Sequence, residues 1–233
     1  MVNSLTRVVA VTSAARRTGT KGVARADREQ QILEVAGRIF GERGFAATSV
    51  AEIAAEAGIS KPLIYHYFGS KEGLFERCLA AASGVLVEEI ERTAAFGVVG
   101  IPRALATLDG VFGVLRGRTW VWRVANDPTA PPTPAAARLL GSYRTRLETL
   151  AHDGVEELLG LAGDDDPLDV DAMAAVWSSV FAALVEWWCA HPDIAPEAMS
   201  ARCERLFGAV FGTGPDTGPG TGLGAGPTQP ADS

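Results

Sequence analysis

The chain has 233 residues, of which 47% are hydrophobic, and its formal net charge is −7 at pH 7. This length is enough for one medium-sized domain or two small ones with a real apolar core. No stretch of 18 residues is apolar and uncharged throughout, and the N-terminus lacks the compact apolar run of a secretory signal. The three cysteines are scattered along the chain. We therefore expect neither a transmembrane helix nor secretion nor a disulfide framework, but a cytoplasmic protein with no membrane partner.

The charge is distributed unevenly. Residues 1–77 carry 11 basic and 8 acidic side chains, whereas the remainder carries 10 basic and 20 acidic ones. This asymmetry is typical of a DNA-binding head on an acidic body, although a basic tail without a partner would produce the same count. Residues 1–25 lack apolar periodicity and are predicted to be a disordered basic arm. The arm either reaches into a minor groove or adds only nonspecific affinity through its basic residues, Arg16, Arg17, Lys21 and Arg25.

Residues 26–86 are predicted to form a helical head. Its first helix spans about Asp27–Glu42, with apolar residues at helical spacing, and Gly44 suits a left-handed stop. Phe45 is expected to pack back onto this helix. The last helix of the head begins after Ser70, whose side chain can cap it.

A helix-turn-helix is predicted over residues 49–68. Ser49 and Glu52 have the spacing of a capping box at the start of the first helix. Gly58 suits the tight turn, and Ser60 can cap the second helix. The second helix of such a pair enters the major groove of DNA, although similar strings also occur in unrelated helical pairs.

The second helix of this motif has one inner and one outer face. Ile64 and Phe68 lie four residues apart and are predicted to face the core. Because recognition helices dock by their N-terminal turns, we expect Lys61 to donate to guanine and Leu63 to meet a thymine methyl group. The candidate DNA-contacting residues are Ser49, Lys61, Pro62, Leu63, Tyr65, His66, Tyr67 and Lys71.

Two of these candidates have plain structural alternatives. Tyr65 is either a phosphate-binding phenol or a partly buried core tyrosine. Lys71 is either a phosphate ligand or a solvated lysine. A lysine is unfavourable at the positive start of a helix, so its position favours a compensating anion.

The segment from Thr48 to Phe75 resembles the DNA-binding domain of the TetR/AcrR family, and the similarity extends over about residues 28–80. Its most specific part is the string Tyr-His-Tyr-Phe-x-Ser-Lys-Glu-x-Leu, which begins at Tyr65. The resemblance implies that tyrosine and lysine at Tyr65 and Lys71 contact the DNA backbone and that early residues of the second helix contact bases. It also implies a homodimer on a palindromic operator, with repression as the common mode.

The remaining sequence is predicted to be a helical effector-binding and dimerisation domain at residues 87–212, which makes the whole chain all-α. A Gly/Pro-rich tail at residues 213–233 is predicted to have no fixed structure. The predicted helices of the body run from Pro102 to about Val124, from Ala135 to Leu161, from Asp169 to Ala190, and from Pro196 to Phe211.

Aromatic residues of the body form either an apolar ligand pocket or an ordinary core. The pocket candidates are Phe112, Trp120, Trp122, Tyr143, His152, Met173, Trp177, Phe181 and Trp188. Small residues on one face of the helix after Asp169 would allow close packing, either against a second subunit or within one subunit. These dimer-interface candidates are Ala172, Ala175, Ser179, Ala182 and Glu186.

Other classes of protein fit the sequence less well. It contains no nucleotide-binding or nucleophile fingerprint, and the acidic run at residues 164–166 is interpreted as a solvated loop. We therefore expect no enzymatic activity, no cofactor and no metal. An architectural DNA binder would need a basic body, and a ligand-independent or activating regulator is the nearer alternative.

Overall fold

A computed structural model describes residues 25–212, and every regular element in that range is an α-helix. The predicted all-α fold is confirmed for this part of the chain. The predicted tail and, apart from Arg25, the predicted arm lie outside the described residues. The helices are α1 (Arg25–Ala47), α2 (Val50–Glu56), α3 (Lys61–Phe68), α4 (Lys71–Ala94), α5 (Ile101–Val114), α6 (Trp120–Ala125), α7 (Pro134–Gly160), α8 (Pro167–Cys189) and α9 (Pro196–Phe211).

The head is formed by α1, α2, α3 and the first half of α4. Fully buried apolar side chains from each of these helices share one core, including Ile32, Ile53, Ile64 and Leu74. Helical geometry in α1 is interrupted at Gly44, which adopts φ 76° and ψ 163°. This positive φ, which glycine tolerates without steric cost, agrees with the stop that the sequence predicts at this position.

Phe45 turns back onto the core after that interruption. Its ring centroid lies 6.2 Å from that of Phe40 and 5.3 Å from that of Phe75. The backbone N–H groups of Phe45 and Ala46 do not continue the helix. They donate to the body instead, to the carboxylate of Asp127 at 2.7 Å and to the hydroxyl of Thr129 at 3.1 Å.

The body departs from the sequence prediction at its first helix. Residues from Pro102 to Val124 were expected to form one helix, but the structure has two, α5 and α6. The break occurs at Gly117, whose φ of 68° lies in the left-handed region that glycine tolerates. The break redirects Trp120 onto α1, where its ring covers Gly37 and its Cβ and backbone lie against Gly41.

One apolar core runs from the head into the body. The helix α4 packs on α1 and α3 at one end and on α5, α6 and α7 along its length. In the body, α9 packs on α5, and α8 packs on α7. The predicted boundary between the head and the body, at residues 86 and 87, falls inside α4 and stays a prediction.

The helix α8 is the most apolar long helix in the described part of the chain. By length and composition it could cross a membrane, and only 17% of its most apolar 18-residue segment is buried in this single chain. One such helix is weak evidence for a membrane span. Its exposed apolar residues, Met173, Val176, Val180 and Trp187, recur at helical spacing. A function of the protein must explain why this apolar surface is exposed.

Candidate DNA-binding surface and ligand cavity

The start of α2 is held by a capping box, as the sequence predicts. The Ser49 hydroxyl accepts a hydrogen bond from the Glu52 N–H at 3.2 Å, and the Glu52 carboxylate accepts one from the Ser49 N–H at 2.9 Å. The bond from the Ser49 backbone is the main reason that the pKa of Glu52 lies below its ordinary value, and nearby Arg43 lowers it further. Because these groups already satisfy each other, Ser49 can offer a phosphate only its remaining hydroxyl donor.

The turn between α2 and α3 has the geometry expected of a helix-turn-helix. Gly58 adopts a φ of 64°, and the N–H of Ile59 donates to the carbonyl of Ala54 at 3.0 Å. Ile59 packs against the core between the two helices. The three residues together fix the angle at which α3 leaves α2.

Ser60 occupies the N-cap position of α3 but makes no capping hydrogen bond through its side chain, unlike the cap that the sequence indicates. The reason is chemical. Pro62 stands at the second position of α3 and has no N–H to donate, while the N–H of Leu63 donates to the Ser60 backbone carbonyl at 3.0 Å. The exposed hydroxyl of Ser60 is thus a candidate for DNA contact that the sequence reasoning assigned to another role.

The helix α3 presents one buried and one exposed face. Ile64 is completely buried, and Phe68 packs against the same core. The candidates on the outer face are all exposed. They are Lys61, Pro62, Tyr65, whose exposed fraction is 42%, and His66. The proposed base-reading turn of α3 is therefore accessible in the free chain.

Three other candidates are less exposed or already have partners. Leu63 and Tyr67 are half-buried, and the Tyr67 ring lies under the guanidinium of Arg25 at 5.5 Å. The Lys71 ammonium lies 4.2 Å from the centre of the Phe45 ring. A cation–π contact therefore provides the compensating negative potential that the sequence reasoning assigned to an anion.

A cavity of about 580 Å³ lies in the body between α4, α5, α6, α7, α8 and α9. Its walls are mainly aliphatic and aromatic. Of the nine residues predicted for a ligand pocket, five line it: Trp122, Tyr143, Met173, Trp177 and Phe181. Burial raises the pKa of Tyr143 to about 12, against the opposing effect of a hydrogen bond with Asn126, so the phenol is neutral.

The other four pocket candidates lie elsewhere, and this corrects the predicted pocket. Phe112 and Trp188 are buried against each other with ring centroids 5.2 Å apart. Trp120 packs on α1 instead of facing the cavity. His152 is half-buried and paired with Asp171 at 3.2 Å. Aromatic composition did not distinguish core residues from residues that line this cavity, because both are apolar and lie on helices.

Sequence reasoning missed Arg103, which lines the cavity. Its Nη1 atom lies 2.6 Å from the carboxylate of Glu157. The sequence contains a pattern that could have identified it. Arg103 lies in a long apolar stretch from Phe96 to Val114, in which Asp109 is the only other charged residue.

The predicted dimer-interface residues lie on a largely exposed face of α8. Ala172, Ala175, Ser179 and Glu186 are exposed, and Ala182 is half-buried. Three exposed apolar residues of α9 add to the exposed surface of α8: Leu206, Val210 and Phe211. Several of these residues also border the cavity, which opens toward this surface. We call the exposed side of α8 and α9 the α8–α9 face.

No group of three histidine, cysteine or acidic residues could hold a metal ion within residues 25–212. The acidic run has a structural role there. Asp166 caps α8 by accepting the N–H of Leu168 at 2.9 Å, and Asp164 accepts the N–H of Asp166 at 3.1 Å.

Residues 32–78 match the family model described as bacterial regulatory proteins, tetR family. The chain is 29% identical over 128 residues to the HTH-type transcriptional regulator HbdR of Aromatoleum sp. (strain CIB), which covers 55% of this chain and 51% of HbdR. It is 30% identical over 114 residues to the HTH-type transcriptional activator FasR of Mycolicibacterium smegmatis, which covers 48% of this chain and 52% of FasR. These matches thus span about half the length of each curated relative.

A solved structure extends the similarity into the body. A TetR-like transcriptional regulator from Rhodococcus sp. RHA1 is 27% identical and superposes with a TM-score of 0.64. The superposition covers 82% of this chain and 100% of that chain. The likeness therefore includes both the helix-turn-helix and the helices of the body.

Proposed function

Because this chain belongs to the TetR family of bacterial regulatory proteins, we propose that it is a sequence-specific DNA-binding regulator of transcription. The observation that carries the proposal is the exposed outer face of α3. Lys61, Tyr65 and His66 stand there on a helix whose opposite side is anchored by the fully buried Ile64. Such an arrangement lets the first turn of α3 contact base edges while the tyrosine and its neighbours contact phosphates.

Selection of bound sequences from a random DNA library, followed by gel-shift competition, tests this function. We expect an enriched palindrome with half-sites about 34 Å apart or at a multiple of that distance. The joint variant Lys61→Ala and His66→Ala should lose preference for the selected site while keeping residual affinity for unrelated DNA. Equal competition by unrelated DNA in the unmodified protein would instead support a nonspecific architectural binder.

We propose further that the protein acts as a homodimer through the α8–α9 face. Exposed apolar side chains on both helices, together with small residues such as Ala172 and Ala175, would permit close approach of a second copy. A pair of heads is what a palindromic site requires. The same contact would cover the opening of the cavity, because Val176 and Val210 border both.

We propose that the cavity holds a small-molecule effector, and α6 is the route by which its occupancy would reach the head. Trp122 and Asn126 of this region line the cavity. Trp120 contacts Gly37 and Gly41 of α1. The residue that contacts the head, Trp120, and the residue that lines the cavity, Trp122, are thus only two positions apart on α6.

The residues after α6 extend this connection to the helix-turn-helix. Asp127 and Thr129 accept the N–H groups of Phe45 and Ala46, which lie just before the capping residue of α2, Ser49. If α6 can occupy two positions, a ligand that binds more tightly when α6 is in one of them shifts the population toward that state. The two states would differ in the distance between the α3 helices of the two subunits. We propose that this shift releases DNA, which makes the protein a cytoplasmic ligand-responsive repressor.

An operator–reporter assay distinguishes the modes of action. A repressor raises reporter expression when its gene is deleted, whereas an activator lowers it. Activation is the alternative that the similarity to FasR favours. If ligands that occupy the cavity leave operator affinity unchanged, the ligand-responsive part of the proposal fails and a ligand-independent regulator remains.

A further inference from the structure

The cavity has one formally charged residue among the described residues that line it, and that residue is basic. Arg103 stands among walls of leucine, valine, alanine and aromatic side chains. Tyr143 also lines the cavity, but a phenol is neutral near pH 7. The electrostatic character of this apolar site therefore depends on a single guanidinium.

The hydrogen-bonding capacity of Arg103 is incompletely used. Its Nη2 makes a long bond of 3.4 Å to the carbonyl of Ala94, and its Nη1 pairs with Glu157. The Nε atom is shielded from solvent and has no acceptor among the described residues. A guanidinium has five N–H donors, and leaving one unpaired in an apolar wall costs free energy. A ligand carboxylate that draws the guanidinium toward the cavity would let this donor be paired and would remove that cost.

The start of α5 adds positive potential at the same place. Gly100, Ile101 and Ala104 line the cavity beside Arg103. The N-cap of α5 is Gly100, which has no side chain to cap the helix, and the first turn contains no acidic residue. Pro102 has no N–H, but the other unsatisfied N–H groups of this first turn and the dipole of the helix start favour a negative group nearby.

The present partner of Arg103 is one that a ligand can replace. The Glu157 side chain is 45% exposed and does not line the cavity. When it is released, its carboxylate can be hydrated, so exchange of one carboxylate for another at Arg103 leaves neither acid buried without a partner.

We propose that the effector is an apolar monocarboxylate whose carboxylate is bound by Arg103 at the start of α5. The remainder of the molecule would lie against the aliphatic and aromatic walls. A volume of about 580 Å³ suits a ligand of ordinary small-molecule size. The proposal rests on the proposed function only in treating this cavity as the effector site.

Displacement of the fluorescent acid cis-parinaric acid from the full chain tests the proposal without DNA. Two pairs of competitors separate charge from shape. Decanoic acid and decan-1-ol are a linear pair, and abietic acid and methyl abietate are a fused-ring pair. We expect one acid to bind at least about tenfold more tightly than its neutral partner, because a charge-assisted hydrogen bond is worth more than a neutral one. The pair that shows the difference identifies the shape of the apolar part.

Variants assign the preference to Arg103. Arg103→Met should remove the preference for the acid while retaining affinity for the neutral compound, which also shows that the cavity is intact. Arg144→Met, which removes an exposed arginine of α7, is the matched control and should keep the preference. Glu157→Gln should tighten binding of the acid alone, because it removes the competing carboxylate. This variant tests the proposal even if Arg103→Met does not fold.

Three results would overturn the proposal: equal binding of acid and neutral partner, a preference that survives Arg103→Met, or no displacement by any competitor up to its solubility limit. None of them bears on DNA binding. Conversely, failure to select any operator would overturn the proposed function and leave the preference for the acid in place.

Discussion

Lys71 is the first residue of α4, where the positive end of a helix disfavours a cation. In the free chain the face of the Phe45 ring, 4.2 Å from the ammonium, offsets this unfavourable field. The contact also holds the lysine beside the start of α4, close to the helix-turn-helix. A DNA phosphate placed there would be a stronger partner than the ring, because it carries a full charge.

We predict that Lys71→Ala weakens binding to specific and unrelated DNA alike. The plot of log affinity against log salt concentration should lose about one unit of slope, as expected when one phosphate contact is removed. Fluorescence anisotropy over a series of salt concentrations measures both quantities. Arg144→Ala removes one positive charge from the exposed surface of the body and serves as the control. A slope that is the same in both variants would contradict the phosphate role.

A second prediction at this scale concerns Glu52. Its pKa is lowered chiefly by the hydrogen bond from the Ser49 N–H, so its ionised form stabilises the folded state. For a carboxyl group with a lowered pKa, this stabilisation is present above the ordinary value of 4.5 and is lost as the pH falls through the folded value. Glu52→Gln keeps the capping geometry without the charge.

Thermal unfolding of the protein and of Glu52→Gln across the acidic and neutral range measures this effect. We expect the variant to be less stable at neutral pH, with the difference in melting temperature shrinking below pH 4.5. All other carboxylates are common to both proteins and cancel in the comparison. A difference that does not change with pH would show that the charge of Glu52 contributes nothing to the cap.

At the scale of elements, α6 has only six residues and yet contacts both the head and the body. Trp120 packs on α1, Trp122 donates to Glu186 of α8 at 2.8 Å, and Arg123 donates to the carbonyl of Cys189 at 2.7 Å. These bonds tie α6 to the helix of the proposed dimer face as well as to the head. A short helix held on several sides can transmit a shift only as a unit.

Gly41→Ala tests the close approach of α1 to α6. A Cβ atom at residue 41 would lie 2.7 Å from Cβ and 2.8 Å from Cα of Trp120, so the backbones must separate. We expect a loss of about 1–3 kcal/mol in the free energy of unfolding, measured by urea denaturation.

Gly141→Ala is the matched control for that substitution. Residue 141 lies inside α7, and a Cβ atom there would meet nothing within 4 Å. Alanine should therefore raise the free energy of unfolding by about 0.5–1 kcal/mol through its higher helix propensity. If both variants were stabilised, the tight contact between α1 and α6 would not exist in solution.

At the scale of the whole molecule, the α8–α9 face is an exposed apolar surface that a single chain leaves unexplained. Apolar residues such as Val176 and Val210 are exposed there, and α8 is mostly unburied. Exposed apolar area of this extent favours association. A second copy would explain this surface and would also supply the second head of a palindrome reader.

We predict that Val210→Glu converts the dimer to a monomer. Val210 is 74% exposed in the single chain, and burying an unpaired carboxylate at an interface should weaken association by on the order of a hundredfold or more. Size-exclusion chromatography with light scattering measures the mass. Leu161→Glu places the same charge at an equally exposed apolar residue outside the α8–α9 face and should remain dimeric. An unmodified protein that is monomeric would exclude this interface.

The sequence by itself predicted the features that depend on neighbours along the chain. The capping box at Ser49 and the start of α4 after Ser70 were confirmed, because a cap involves residues within one turn of helix. The glycine turn at Gly58 was confirmed for the same reason. The inner face of α3 follows from helical periodicity, and the resemblance to the TetR family follows from a string of adjacent residues.

Only the tertiary structure decided the features that join distant residues. Gly117 was not predicted as a break because a single glycine is compatible with a continuous helix. Whether a tryptophan lines the cavity, as Trp122 does, or covers α1, as Trp120 does, depends on where that break turns the chain. Arg103 became significant only when folding enclosed it in apolar walls, since the cost of an unpaired N–H donor depends on its surroundings and not on its place in the sequence.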